Sequence, residues 1–225
     1  PYANWCIQFG KNSLGLAYTS QSKYAREINS DNWYQILARQ DVKVGISDPR
    51  FDACGYRALM ALKLSEVFYD EEDIFRNVTG RFSYPIKVEE DGKGYTILIP
   101  EILEAERLAI RDSSIKLLFP IQSGDLDYAF EYKSVAEQHG VDFLEFPPEI
   151  NLSSDNYKTL CEDMKVKLAF KRFASVNPDY DILPIIYGIT IPGNAPHPKE
   201  AAKLVAFILS PRGQDIMKQT RQVTI

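Results

Sequence analysis

The chain has little cysteine, less histidine and no long apolar run, and each shortage closes off a class of protein. Its three cysteines, Cys6, Cys54 and Cys161, lie far apart with no CxxC pair. That spacing argues against a zinc ribbon and a dense disulfide framework, while one disulfide of open pairing remains allowed. The two histidines, His139 at an expected helix end and His197 between prolines, resemble neither a metal ligand nor a base. No Ser-His-Asp or Cys-His spacing stands out. No run of about 18 apolar residues is available to span a membrane. Basic residues are outnumbered: the net charge of −5 argues against a nucleic-acid partner, so any bound anion must be caught by local design. The opening Pro1-Tyr2-Ala3-Asn4-Trp5 has neither an initiator Met nor a signal-peptide pattern, which leads us to expect a chain cut from something longer.

What is present is an ordinary globular composition, 45% hydrophobic and 25% charged over 225 residues, enough for one large domain or two modest lobes. The most informative stretch runs from Lys43 to Arg57. A short apolar strand, Val42 to Ile46, enters the polar loop Ser47-Asp48-Pro49-Arg50-Phe51-Asp52, and a helix from Ala58 to Tyr69 follows. In open α/β sheets a ligand sits at such a junction, at the carboxyl end of a strand. From spacing alone an ordinary strand-to-helix connection capped by Asp48 or Asp52 is the favoured reading at this stage.

Before this loop, Leu14 to Tyr18 reads as a strand and Ser30 to Leu37 as a capped short helix with Trp33 and Leu37 on one face. The helix Ala58 to Tyr69 is expected to bury Leu59, Leu62, Val67 and Phe68, and the acidic run Asp70 to Asp73 to open the next helix. Asp91-Gly92 marks a hairpin turn between Val88 and Leu98, and Glu101 to Leu108 reads as an amphipathic helix. Leu126 to Tyr132 alternates as a strand, with a helix from Ser134 to His139 directly behind it. Glu131 therefore lies at a second strand end just before a helix. It can face the same cleft as the Asp48–Asp52 loop, or simply pair with Lys133 or Arg57. Val141 to Phe146 is a further strand, Leu152 to Ala174 has helical character, and Ile182 to Pro192 reads as a buried strand. A helix from Lys199 to Leu209 and a last helix capped by Ser210, with Pro211 in its first turn, close the chain.

The ending, Asn194 to Ala202 and Ala206 to Gln214, resembles the closing helix pair of the extracytoplasmic solute-binding proteins that feed ABC importers. Ser47-Asp48-Pro49 through Cys54-Gly55-Tyr56-Arg57, together with Asp127 to Tyr132, resembles one branch of them, the molybdate/tungstate-binding proteins typical of archaea. The similarity extends from Asn4 to the C-terminus. It implies a two-lobed α/β fold of the periplasmic-binding-protein type II, with its first lobe truncated at the N-terminus. On that reading residues 1–12 are a remnant of the first lobe, 13–180 form the second lobe, and 181–225 return to pack on the first. Serine hydroxyls and amides that the family draws from its first units would lie upstream of Pro1.

The resemblance also implies a site. Asp52 and Glu131 would supply one carboxylate oxygen each to the metal of the oxyanion, with Asp48 as fallback for the first. Backbone N–H groups at Cys54 and Gly55 and the Tyr132 hydroxyl would hold oxo groups. It implies no cofactor beyond the oxyanion ligand, no enzymatic activity, a monomer outside the cytoplasmic membrane, and a permease as partner. Electrostatics favours direct coordination: a carboxylate about 4 Å from a dianion is repelled by roughly 8 kcal/mol at an effective dielectric of 20, and only a bond to the hard metal centre offsets that. Alternatives are a sulfate or phosphate binder of the same fold, an enzyme using Asp52 and Glu131 as an acid-base pair, an activated Cys54 thiol, and a sensor module of a transcription regulator.

Overall fold

The computed structural model describes residues 3–169 and 179–224. In chain order the elements begin with β1 (Ile7–Lys11), β2 (Leu14–Tyr18), α1 (Trp33–Ala38), β3 (Val44–Ser47), α2 (Ala53–Tyr69) and α3 (Ile74–Thr79). A hairpin, β4 (Lys87–Glu90) and β5 (Gly94–Ile99), leads to β6 (Leu108–Arg111), a 3-10 turn (Ser114–Leu117), α4 (Leu118–Ser123), β7 (Tyr128–Tyr132), α5 (Lys133–Gln138) and β8 (Asp142–Glu145). A second 3-10 turn (Asp155–Thr159), β9 (Asp163–Leu168), β10 (Asp179–Asp181), β11 (Ile186–Ile189), α6 (Pro198–Leu209), α7 (Pro211–Gln219) and β12 (Val223–Thr224) complete it. The chain divides into two compact units, Ser13–Pro184 and Pro1–Asn12 with Ile185–Ile225.

The larger unit is built on a five-stranded sheet in the order β6-β3-β7-β2-β8. Strands β6, β3 and β7 run parallel, while β2 is antiparallel to both β7 and β8. Period-two alternation sorts its side chains. From β7, Phe130 points to an aromatic core in which fully buried Trp33 stacks on Phe146 at 4.4 Å. Ala129 points to the opposite face, among Leu117, Leu118, Ile121 and Ala136. Glu131, two residues on, shares that second face. A four-stranded sheet, β10-β9-β5-β4, completes the unit. In the smaller unit β1 pairs with β11 and β12, and Ser210 caps α7 by accepting the Gly213 amide at 3.2 Å, with Pro211 at the first helical position.

Several expectations need correcting. Residues 101–107 form no helix: Ser83 N donates to the Glu104 carbonyl at 2.7 Å, Phe82 bridges Ala105, and Leu108 already belongs to β6. An eight-residue window of good helix formers is too short to hold a helix against such pairing. Between Leu152 and Ala169 the only helical element among the described residues is the 3-10 turn Asp155–Thr159; after it β9 buries Met164, Val166 and Leu168 and turns Lys165 and Lys167 outward, a period-two pattern. The part of that expectation from 170 to 174 lies outside the described residues. The buried strand expected over 182–192 shrinks to β11, whose residues alternate between exposed and half-buried. Helix α2 begins five residues early and leaves Val67 39% exposed.

Candidate functional site

The early start of α2 decides which aspartate caps it. Asp52 is the N-cap, and its Oδ1 accepts the Cys54 amide at 3.1 Å. Asp48 does something else: its buried carboxylate is clamped by Arg50, with Nη2 at 2.6 Å from Oδ2 and Nε at 2.9 Å from Oδ1. Arg50 also reaches the Glu101 carbonyl, so this pair ties the loop to the irregular 101–107 segment. The start of α2 presses hard on β3. A Cβ on Gly55 would meet the Ser47 carbonyl oxygen at 2.2 Å, so only glycine allows the approach.

The Cys54 and Gly55 amides, expected to face a ligand, are committed within the loop. The first serves the Asp52 side chain, and the second donates to the Asp52 carbonyl at 3.1 Å. The Cys54 side chain is fully buried and its Sγ lies 3.5 Å from the Phe130 carbonyl. Burial pushes its thiol well up, reinforced by the charges of Glu131 and Asp52, which disposes of an activated thiolate.

Asp52 and Glu131 are brought together by a residue that sequence reasoning did not single out. The Ser114 amide donates to Asp52 Oδ2 at 2.6 Å, and the Ser114 hydroxyl donates to Glu131 Oε1 at 2.9 Å. The Tyr132 amide supplies a second donor to the same Glu131 oxygen at 2.8 Å. Glu131 is 0% exposed, and its other oxygen, Oε2, has no hydrogen-bond partner among the described residues. Burial pushes its carboxyl up to about 7, with the Asp52 charge adding to the rise and the two donors opposing it. Neither expected cation pairs with it: Lys133 binds Glu145 at 2.6 Å, and Arg57 Nη1 donates to the Tyr132 hydroxyl at 2.8 Å. Burial also raises the Tyr132 phenol, so it stays protonated.

A second orphan lies close by in register. Pairing of Gly45 with Ala129 carries Ser47 and Glu131 onto one face of the sheet, and the buried Ser47 hydroxyl also has no partner among the described residues. Buried polar atoms are almost always satisfied, so two orphans at one corner call for a guest, an ion or ordered water. No group of three or more His, Cys, Asp or Glu that could hold a bare metal ion occurs among the described residues. His139 caps α5 and contacts the Val135 carbonyl at 2.8 Å through Nδ1. The Ser114 signal was a polar pair, Ser113-Ser114, following the short apolar strand β6; the Ser47 signal was its place at the end of β3.

This α/β architecture, with a buried polar cluster at the carboxyl ends of parallel strands, is that of the two-lobed periplasmic binding proteins. It superposes on the Azotobacter vinelandii periplasmic molybdate-binding protein with a TM-score of 0.54 at 14% identity, over 99% of this chain and 70% of that one. The chain belongs to the bacterial extracellular solute-binding protein family, whose profile matches residues 2–220. It is 39% identical over 228 residues to an uncharacterized solute-binding protein of Methanoculleus marisnigri, covering 99% of this chain and 62% of that protein. It is 35% identical over 228 residues to the molybdate/tungstate-binding protein WtpA of Pyrococcus abyssi, covering 98% of this chain and 62% of the relative. The chain thus spans about three-fifths of the length of these relatives. Among the described residues no helix is long and apolar enough to cross a membrane.

Proposed function

We propose that the protein binds molybdate or tungstate outside the cytoplasmic membrane and hands it to the permease of an ABC importer. The observation that carries this reading is the convergence of Asp52 and Glu131 on Ser114, with Glu131 Oε2 left without a partner inside the fold. A single carboxylate suits a protonated phosphate, and sulfate needs only neutral donors; two carboxylates side by side repel either. They suit an oxyanion whose central metal accepts further oxygen ligands, since the bonds to a hard, highly charged centre offset the repulsion. Glu131 enters that bond with Oε2 and Asp52 by exchanging one of its amide contacts. The Tyr132 and Ser47 hydroxyls are the neutral donors left for oxo groups, in place of the committed Cys54 and Gly55 amides. The relationship to the Pyrococcus protein supports the same ligand class.

Titration calorimetry of the purified protein, with every segment its gene encodes, tests the proposal. Tungstate and molybdate bind tightly and sulfate does not; tight sulfate binding defeats the assignment.

A further inference from the structure

Hydrogen-bonded to Tyr132, the residue that follows Glu131, is the cation Arg57. Arg57, in the first turns of α2, is half-buried, and among the described residues no Asp or Glu oxygen lies within ion-pair distance of it. Its planar group lies 5.5 Å from the Tyr56 ring centroid and 5.9 Å from that of Tyr132. Tyr56 is itself held by stacking on Tyr180 at 4.6 Å and 7°. A guanidinium removed from water without a counter-charge is costly, and two other cations of the same unit, Arg50 and Lys133, each have a carboxylate.

The polar contact of Arg57 with the Tyr132 hydroxyl defines what the guanidinium can do. Arginine carries donors only, so the 2.8 Å contact from Nη1 occupies a lone pair of the Tyr132 hydroxyl oxygen. The Tyr132 hydroxyl hydrogen is thereby turned to another acceptor. Tyr132 follows Glu131 directly, and its phenol feels the Asp52 charge, so that acceptor belongs to whatever the carboxylate pair holds.

We infer that Arg57 is the residue that selects a doubly charged oxyanion: it balances the charge of the guest and, through Tyr132, aims a hydroxyl at one of its oxygens. This rests on the oxyanion reading of the Asp52–Glu131 site. Two carboxylates and a dianion bring four negative charges into one pocket, and Arg57 is the fixed cation that makes such a gathering tolerable. Shape and charge can be separated chemically, because perrhenate is a tetrahedral oxo-anion of the same build as tungstate with one charge fewer.

The experiment measures tungstate by calorimetry and perrhenate by displacement of tungstate, on wild type and on Arg57→Gln, Arg57→Lys and Tyr132→Phe, with thermal melts to confirm folding. Arg57→Gln is expected to weaken tungstate about tenfold and perrhenate about threefold, since a Coulombic loss scales with the charge of the guest. Arg57→Lys is expected to restore the preference for the dianion. Losses from Arg57→Gln and Tyr132→Phe should be less than additive, because the two act through one contact. Equal weakening of both anions, a tungstate change within about twofold, or strictly additive losses overturns the inference while leaving the function in place. Absence of tungstate binding by the wild type removes the function and this inference with it.

Discussion

Asp52 and Glu131, which lie on different elements, accept hydrogen bonds from the same residue: the amide of Ser114 serves one and its hydroxyl the other. This single bridge joins the cap of α2 to the end of β7, and among the described residues the second oxygen of the buried Glu131 has no partner.

Burial of Glu131 makes the protein pH-sensitive in a defined direction. Its folded pKa of about 7 lies above the ordinary value of 4.5, so the folded state holds the extra proton between those limits. Stability is therefore full below about pH 4.5 with respect to this group and declines as pH rises towards 7, by roughly 3 kcal/mol in all. Glu131→Gln, which cannot ionise, should flatten the fall and raise the melting temperature at pH 8. An unchanged slope between pH 5 and 7 in thermal melts of the two proteins contradicts this.

Ligand binding should run the opposite way. Coordination needs the ionised Glu131 carboxylate, so tungstate affinity should increase about tenfold from pH 6 to pH 8, with proton release below neutrality. Ser114→Ala removes a donor that lowers the Glu131 pKa and should displace this profile to higher pH. Calorimetry in buffers of differing ionisation heat counts the protons; uptake instead of release would mean that Glu131 binds as a neutral acid.

Asp48 and Asp52 should separate cleanly despite sharing one loop. Asp48→Asn breaks the clamp on Arg50 and should cost about 2–3 kcal/mol in urea unfolding, with only a few-fold effect on tungstate. Asp52→Asn keeps a capping oxygen but loses the charged ligand, and should weaken tungstate by at least about a hundredfold with little change in stability. Reversal of the two outcomes would make Asp48 the coordinating residue.

Gly55→Ala tests the packing that carries the site. Its Cβ has nowhere to go but into the backbone of Ser47, so α2 must retreat from β3, at a cost of about 2 kcal/mol or more. Chemical unfolding measures the loss, and tungstate affinity should fall with it because Asp52 rides on that helix. A variant as stable as the wild type would show that the contact is easily relieved.

Much of this was legible in the chain. The strand Leu14–Tyr18, the hairpin around Gly92, α6 and the Ser210-Pro211 start of α7 follow from alternation, turn residues and caps, which are local rules. Glu131 stood out because it ends a strand just before a helix, whereas Asp52 was preferred to Asp48 in its loop only through the family resemblance. What local rules could not give was partnership. The 101–107 segment has helical propensity but spends its backbone on Phe82 and Ser83, and Ser113-Ser114 is an unremarked polar pair until the sheet sets it between two carboxylates.

The sequence by itself determined the elements whose alternation, turns and caps are local, and offered Asp48, Asp52 and Glu131 as candidate carboxylates, because those signals depend on neighbours within a turn or a strand. Only the tertiary structure decided that Asp52 takes the cap while Asp48 goes to Arg50, that Ser114 joins the acids, and that Arg57 goes to the Tyr132 hydroxyl. Those outcomes depend on which donors meet which acceptors once distant strands have paired and water has been excluded, and no local pattern fixes that allocation.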